Sequence, residues 1–291
     1  MNTTHTPAAT TPAAPTTPTA ASAATAAAAR TVDLGNGLQV SIDERGERGE
    51  SAVLLLHGGA GPRSMAPLAG ALSEHVYVIT PTHPGFESTG RVEWLESVAD
   101  LADAYLDLIE ELKLETVMVI GNSLGGWIAS EMALRDIKGR VKSIVLINAT
   151  GIRPDHASQI VDVRTLPPAA IGKLSFYDPA KRPNFAALSD EQRATGAANQ
   201  AAMAVYAGRE FLFAPKLRRR LSRVSVPTLV IWGEEDGVLS ADYGRAYADS
   251  FANGHYVPVA AAGHFPQIEQ PGAVLGAIGE FVDTVVKPDG D

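Results

Sequence analysis

The sequence predicts an α/β fold with a mostly parallel, doubly wound sheet. Three observations lead to it. Short apolar runs of strand length alternate with segments of helical period. One apolar run, Thr116-Val117-Met118-Val119-Ile120, passes into a helix through the sharp turn Gly121-Asn122-Ser123-Leu124-Gly125-Gly126. The alternation breaks only between Gly151 and Leu221, where helix-like pieces and prolines replace strands.

The elements follow in order. Thr31 to Leu34 and Leu38 to Asp43 flank Gly35-Asn36-Gly37. Asn-Gly supplies the positive φ angles of a tight turn, so this is an antiparallel hairpin at a sheet edge. Ala52-Val53-Leu54-Leu55-Leu56 is a continuous apolar run, the mark of a parallel strand covered on both faces. His75 to Thr80 is the next strand. Trp94 to Leu112 reads as one helix, with Leu95, Val98, Leu101, Tyr105, Leu108 and Leu112 recurring at three and four. Trp127 to Arg135 is the helix after the sharp turn, and Val141 to Ile147 the sixth strand. Val226 to Trp232 and His255 to Val259 complete the sheet, and Val274 to Val286 forms a closing helix. Within the interruption, Ser189-Asp190-Glu191-Gln192 has capping-box spacing and opens a helix towards Tyr206. A helical insertion after a central strand sits over the carboxyl ends of the strands, where such sheets bind ligands. The expected organisation is thus a core over 31–150 and 222–291, with a helical cap, or lid, over 151–221.

Composition bounds the rest. The 291 residues are 45% hydrophobic and 20% charged, with a formal net charge of −9. That balance excludes the basic face of a sequence-independent nucleic-acid binder. There is no Cys, which rules out disulfides, thiolate metal sites and a Cys nucleophile. No apolar run reaches the ~18 residues of a membrane span. Residues 1–30 are almost entirely Ala, Thr and Pro, lacking both a basic n-region and a Leu-rich h-region. They read as a disordered tail rather than a signal peptide, and the expected location is cytoplasmic. With no phosphate loop, dinucleotide fingerprint or metal-ligand cluster, no cofactor is expected.

The turn at Ser123 carries the chemistry. A turn this sharp strains the serine backbone and lifts its hydroxyl clear of the sheet. Side chains two positions to either side would collide with the neighbouring strand and helix, so Gly121 and Gly125 stand there. A serine hydroxyl is a poor nucleophile near neutral pH. It needs a base within hydrogen-bond reach and a group that orients the base. The chain holds seven His. His5 lies in the tail, His57 shapes the loop after a strand, and His75 and His255 stand at strand starts. His83 precedes Pro84 in a turn, and His156 lies in the insertion. His264 follows Ala260-Ala261-Ala262-Gly263, a small-residue loop from which a ring could reach Ser123.

From Thr31 to the C-terminus the chain resembles a capped, serine-nucleophile α/β-hydrolase. The resemblance rests on His57-Gly58-Gly59-Ala60-Gly61, Pro84-Gly85-Phe86, Gly121-Asn122-Ser123-Leu124-Gly125-Gly126, Trp232-Gly233-Glu234-Glu235-Asp236 and Gly263-His264-Phe265-Pro266. These fall in the family's order, serine, acid, histidine. The resemblance implies an α/β-hydrolase fold with Ser123 as nucleophile, His264 as base and Asp236 as orienting acid. Glu234 and Glu235 compete with Asp236, and spacing from Trp232-Gly233 selects Asp236. Some relatives place the acid after the preceding strand, which here is Asn148-Ala149-Thr150 and holds no carboxylate. The oxyanion hole is expected at the backbone N–H groups of Leu124 and Gly59, with Ala60 as neighbour. Ala60, Trp127 and Phe265 are candidate pocket residues, although a large apolar residue on a buried helix, as Trp127 is, more often belongs to the core.

Relatives that open epoxides or dehalogenate carry Asp at the elbow, so Ser123 favours acyl chemistry. The implied function is a cofactor-free hydrolase of a small, largely apolar ester or lactone. Relatives that hydrolyse carbon–carbon bonds of ring-fission diketones share the Gly-Asn-Ser elbow and the His-Gly-Gly loop. They usually carry Trp after the base, where this chain has Phe265. A third expectation is a ligand receptor with slow turnover on the same fold. The sequence does not specify the oligomeric state.

Overall fold

The computed structural model describes residues 28–286; the expected tail falls outside them except for its last three residues. Eight strands form one sheet: β1 (Ala28–Asp33), β2 (Gln39–Arg45), β3 (Ser51–Leu56), β4 (Tyr77–Pro81), β5 (Thr116–Asn122), β6 (Val141–Ile147), β7 (Thr228–Gly233) and β8 (Gly254–Val259). Their order is β1-β2-β4-β3-β5-β6-β7-β8. β1 and β2 pair antiparallel, as does β2 with β4, and every pairing from β4 through β8 is parallel. The hairpin turn holds Gly35, Asn36 and Gly37 at positive φ. β1 starts three residues ahead of the expected Thr31, because Ala28, Ala29 and Arg30 pair with Glu44, Asp43 and Ile42. Backbone pairing recruits residues whose side chains have no strand signal of their own.

Alternation along the strands builds two cores. On β3, Ala52, Leu54 and Leu56 face one cluster, while Val53 and Leu55 face the other. The first cluster packs under α2 (Val98–Glu111), α3 (Leu124–Arg135) and α7 (Ala241–Ala248). The second packs under α1 (Ala66–Leu72) and α9 (Pro271–Phe281). Helices on both faces make the sheet doubly wound. Among these, α1 and α7 were not anticipated. Trp94 to Ser97 is not helical: α2 starts at Val98, where the Ser97 hydroxyl accepts from Asp100 N and Asp100 reaches back to the Ser97 N–H. That capping box outcompetes the apolar period that extends to Leu95. The closing helix begins at Pro271 and ends in a π-helical turn over Val282–Val286.

Between β6 and β7 run α4 (Pro168–Ser175), α5 (Asp190–Ala207) and α6 (Leu217–Leu221), joined by loops and short 3-10 turns. Ser189 and Gln192 form the expected capping box of α5. Two isolated β-bridges involve this segment, Gly151 with Phe213 within it and Ile160 with Leu239 beyond β7. The chain reverses its direction of travel across the sheet between β3 and β5, which place Leu56 beside Gly121. The crevice outside the carboxyl ends of strands at such a switch point is where these sheets accept ligands.

Candidate active site

The turn after β5 has the geometry its glycines require. A Cβ on Gly121 would lie 2.2 Å from the Gly125 backbone, and one on Gly125 would lie 2.2 Å from the Leu56 carbonyl oxygen. Real Cβ atoms do not come so close, so both positions exclude any side chain. Ser123 between them has φ 55° and ψ −117°, a strained backbone for a residue with a Cβ. Its backbone is held by Ser123 N donating to Ile147 O and by Thr150 N donating to Ser123 O.

His264 lies in the loop between β8 and α8 (Pro266–Glu269). Its Nδ1 donates to Asp236 Oδ2 at 2.7 Å. With Nδ1 committed, Nε2 is the nitrogen free to accept a proton. Asp236 is oriented from both sides. Its Oδ1 accepts from Val238 N at 2.7 Å and Leu239 N at 3.0 Å. Its Oδ2 also accepts from Asn148 Nδ2 at 2.8 Å. Glu234 and Glu235 are exposed, whereas Asp236 is buried. Ser123, Asp236 and His264 are 7%, 8% and 6% exposed, so all three are buried rather than in open solvent. Ser123 Oγ is not hydrogen-bonded to the imidazole; such contacts often tighten only when substrate is bound.

The loop after β3 runs alongside. A Cβ on Gly58 would meet Ser123 Cβ at 2.8 Å, so this backbone lies against the serine. Gly59 is half-buried, Ala60 exposed, and Leu124 fully buried at the start of α3. Phe265 stacks on Phe176, with ring centroids 5.0 Å apart, directly beside His264. Trp127 packs against Gly151 within the main apolar core, which is the core alternative rather than the pocket.

The other histidines separate cleanly. His75 precedes β4 rather than beginning it, and His75, His156 and His255 are exposed. His57 and His83 are buried and stacked, centroids 3.7 Å apart. His57 Nε2 accepts from the His83 N–H and its Nδ1 donates to Gly58 O. His83 Nε2 donates to His57 O, and its Nδ1 meets the Tyr105 hydroxyl. Burial drives the His57 pKa well below its ordinary value, helped by the neighbouring His83. Burial likewise takes His83 down to about 4. Both are neutral parts of a polar core that shapes the loop.

Several residues have supporting contacts that the sequence did not foretell. Asn148, at positive φ, also accepts the Gly233 N–H at 3.0 Å, tying β6 to the Asp236 loop. Asn122 Nδ2 donates to Ile147 O and to His264 O. The buried Glu269 carboxylate accepts from Gly263 N and Asp178 N, both at 2.7 Å. The end of α4 offers its Leu174 and Ser175 carbonyls to Gly237 N and His264 N. Only the position of Asn148 just past a strand, at the alternative acid site, could have drawn attention. Among the described residues, no cluster of His, Cys, Asp or Glu could hold a metal ion, and no helix is long and apolar enough to cross a membrane.

Known proteins similar to this chain are numerous. An epoxide hydrolase, EphH, of Mycobacterium tuberculosis is 30% identical over 217 residues, 64% of this chain and 95% of that protein. A protein of Agrobacterium fabrum provisionally named as the carbamate hydrolase RutD is 34% identical over 118 residues, 40% of this chain and 45% of its own length. This chain therefore matches less than half of that relative. The solved 2-hydroxy-6-oxo-6-phenylhexa-2,4-dienoate hydrolase of Rhodococcus sp. strain RHA1 shares the fold, with TM-score 0.72, 21% identity, and coverage of 88% of this chain and 98% of that one. The model of the alpha/beta hydrolase family matches residues 53–277, from β3 to α9 and through every loop described above. The chain belongs to the alpha/beta hydrolase family.

Proposed function

We propose that the protein is a serine hydrolase that cleaves a small, largely apolar ester or lactone through an acyl-enzyme. The observation that carries this is the buried His264–Asp236 pair beside a strained, elbow-borne Ser123. In the first half-reaction Ser123 Oγ bonds to the acyl carbon and its proton passes to His264 Nε2. The carbonyl π pair moves onto oxygen, where the Leu124 and Gly59 N–H groups meet the charge. Collapse of the intermediate breaks the bond to the leaving oxygen, which takes the proton from Nε2. Water repeats the steps to release the acid and restore Ser123. Asp236 holds the Nδ1–H tautomer and steadies the imidazolium. Residues 151–221 act as the cap, and Phe176 and Phe265 give the base side of the pocket an apolar wall.

A fluorophosphonate probe tests the nucleophile. An adduct should form on Ser123, and be lost in His264→Ala. Turnover by Ser123→Ala within about tenfold of wild type would overturn the acyl-enzyme reading, since such triads supply far more than that.

Carbon–carbon hydrolysis of ring-fission diketones is the second reading, supported by the Gly121-Asn122-Ser123 elbow and the His57-Gly58-Gly59 loop. Screening such a diketone against simple esters separates the two by kcat/KM. The ligand-receptor reading would take precedence if folded protein gave no adduct but a ligand raised its thermal midpoint.

A further inference from the structure

The buried face of α5 contains Asn199, Ala202, Met203, Tyr206 and Ala207, spaced at three and four. It is pinned to the core at two points. One turn before Met203, the Asn199 amide closes a double hydrogen bond with Glu87. Its Oδ1 accepts the Glu87 N–H at 2.8 Å and its Nδ2 donates to Glu87 Oε1 at 2.9 Å. Arg63 braces the other Glu87 oxygen at 3.1 Å. One turn after Met203, the Tyr206 hydroxyl donates to Pro84 O at 2.7 Å. The backbone of Met203 is thereby fixed, while its thioether keeps its own torsions.

That thioether lies against Gly59. A Cβ on Gly59 would sit 2.4 Å from Met203 Sδ and 3.4 Å from Cε. Met203 is buried, so it takes up the space on the Cβ side of Gly59. The leaving oxygen of a substrate must reach His264, on the side of Phe176 and Phe265. On the serine-hydrolase reading, the acyl chain then lies on the side of Gly59 and α5. A methionine is unbranched and adapts its shape to what it meets.

Resting on the serine-hydrolase reading, we infer that Met203 is the gate of the acyl pocket and sets the length of the aliphatic acyl chain accepted. A short chain displaces the thioether by a rotamer change. A long chain must share the space with it.

The test compares kcat/KM for p-nitrophenyl octanoate and p-nitrophenyl acetate in the full chain. Met203→Ala should raise the octanoate-to-acetate ratio about tenfold or more, the effect of a few methylenes in an apolar pocket. Met203→Phe should lower it by a similar factor, and carries the test alone should Met203→Ala fail to fold. A fluorophosphonate adduct on Ser123 is read in each sample. Adducts throughout, with the ratio moving less than about twofold in both variants, would overturn the gate and leave the serine chemistry standing. No adduct and no ester turnover in folded wild type would overturn both.

Discussion

Acidification tests the buried imidazole pair, because every ring nitrogen of His57 and His83 is already committed to a neutral-form hydrogen bond. His57 Nε2 faces an N–H donor, so a proton there would set donor against donor. Neither ring meets a carboxylate, and burial dominates both shifts. The folded pKa of His83 is about 4, against an ordinary value of 6.5. Below pH 6.5 the unfolded chain therefore binds a proton that the folded chain refuses. Stability falls as pH drops through this window and is unaffected by His83 above it. The full loss is about 3 kcal/mol for His83 alone, and about 2 kcal/mol is already gone at pH 5. His57 shifts in the same direction and steepens the loss. Urea unfolding at several pH values between about 8 and 5 gives the slope, with His83→Gln as the partner measurement. The variant loses hydrogen bonds, which offsets its stability at every pH. Its slope, however, should be shallower than wild type by about 1.4 kcal/mol per pH unit near pH 5, the value for one bound proton. Equal slopes in the two proteins would refute the buried neutral assignment.

Further perturbations address the site itself. Asn148→Ala removes the donor to Asp236 and orphans the Gly233 N–H. It should cost about 3 kcal/mol in urea unfolding, since a hydrogen bond to a charged group and a stranded buried donor are both lost. Ser123→Gly should abolish turnover yet raise the thermal midpoint, because the left-handed backbone at Ser123 costs on the order of 1 kcal/mol with a Cβ present. An unchanged or lowered midpoint would show that the elbow is not strained. Glu269→Ala strands the Gly263 and Asp178 N–H groups. It should lower stability by about 2 kcal/mol and reduce kcat through a loosened His264 loop. Wild-type kcat in that variant would show that the loop is held by the α4 carbonyls alone.

Features that depend on neighbours in the chain were legible. The elbow announces itself because the collision at Gly121 involves the Gly125 backbone four residues away, so that part of the constraint is written in adjacent positions, whereas Gly125 is barred by Leu56 of the neighbouring strand. The hairpin at Asn36-Gly37 and the capping box at Ser189 are local for the same reason. Where local signals competed, the boundary was misplaced. The apolar period ran back to Leu95, but the Ser97 cap decided where α2 begins. Family order pointed to His264 and Asp236 before any distance was known.

The sequence by itself thus determined the fold class and the strand-turn-helix at Ser123. Periodicity and turn chemistry act over a few residues. Tertiary structure alone decided what surrounds them. Asn148 could be read as a missing carboxylate, and only folding shows its amide bridging Gly233 and Asp236. The docking of Met203 onto Gly59 joins residues far apart in the chain, as does the grip of α4 carbonyls on the His264 loop. Such contacts depend on where packed helices come to rest. No short-range pattern encodes that, because any small apolar face could have packed there, and the hydrogen-bonding groups that lock it are backbone atoms every residue shares.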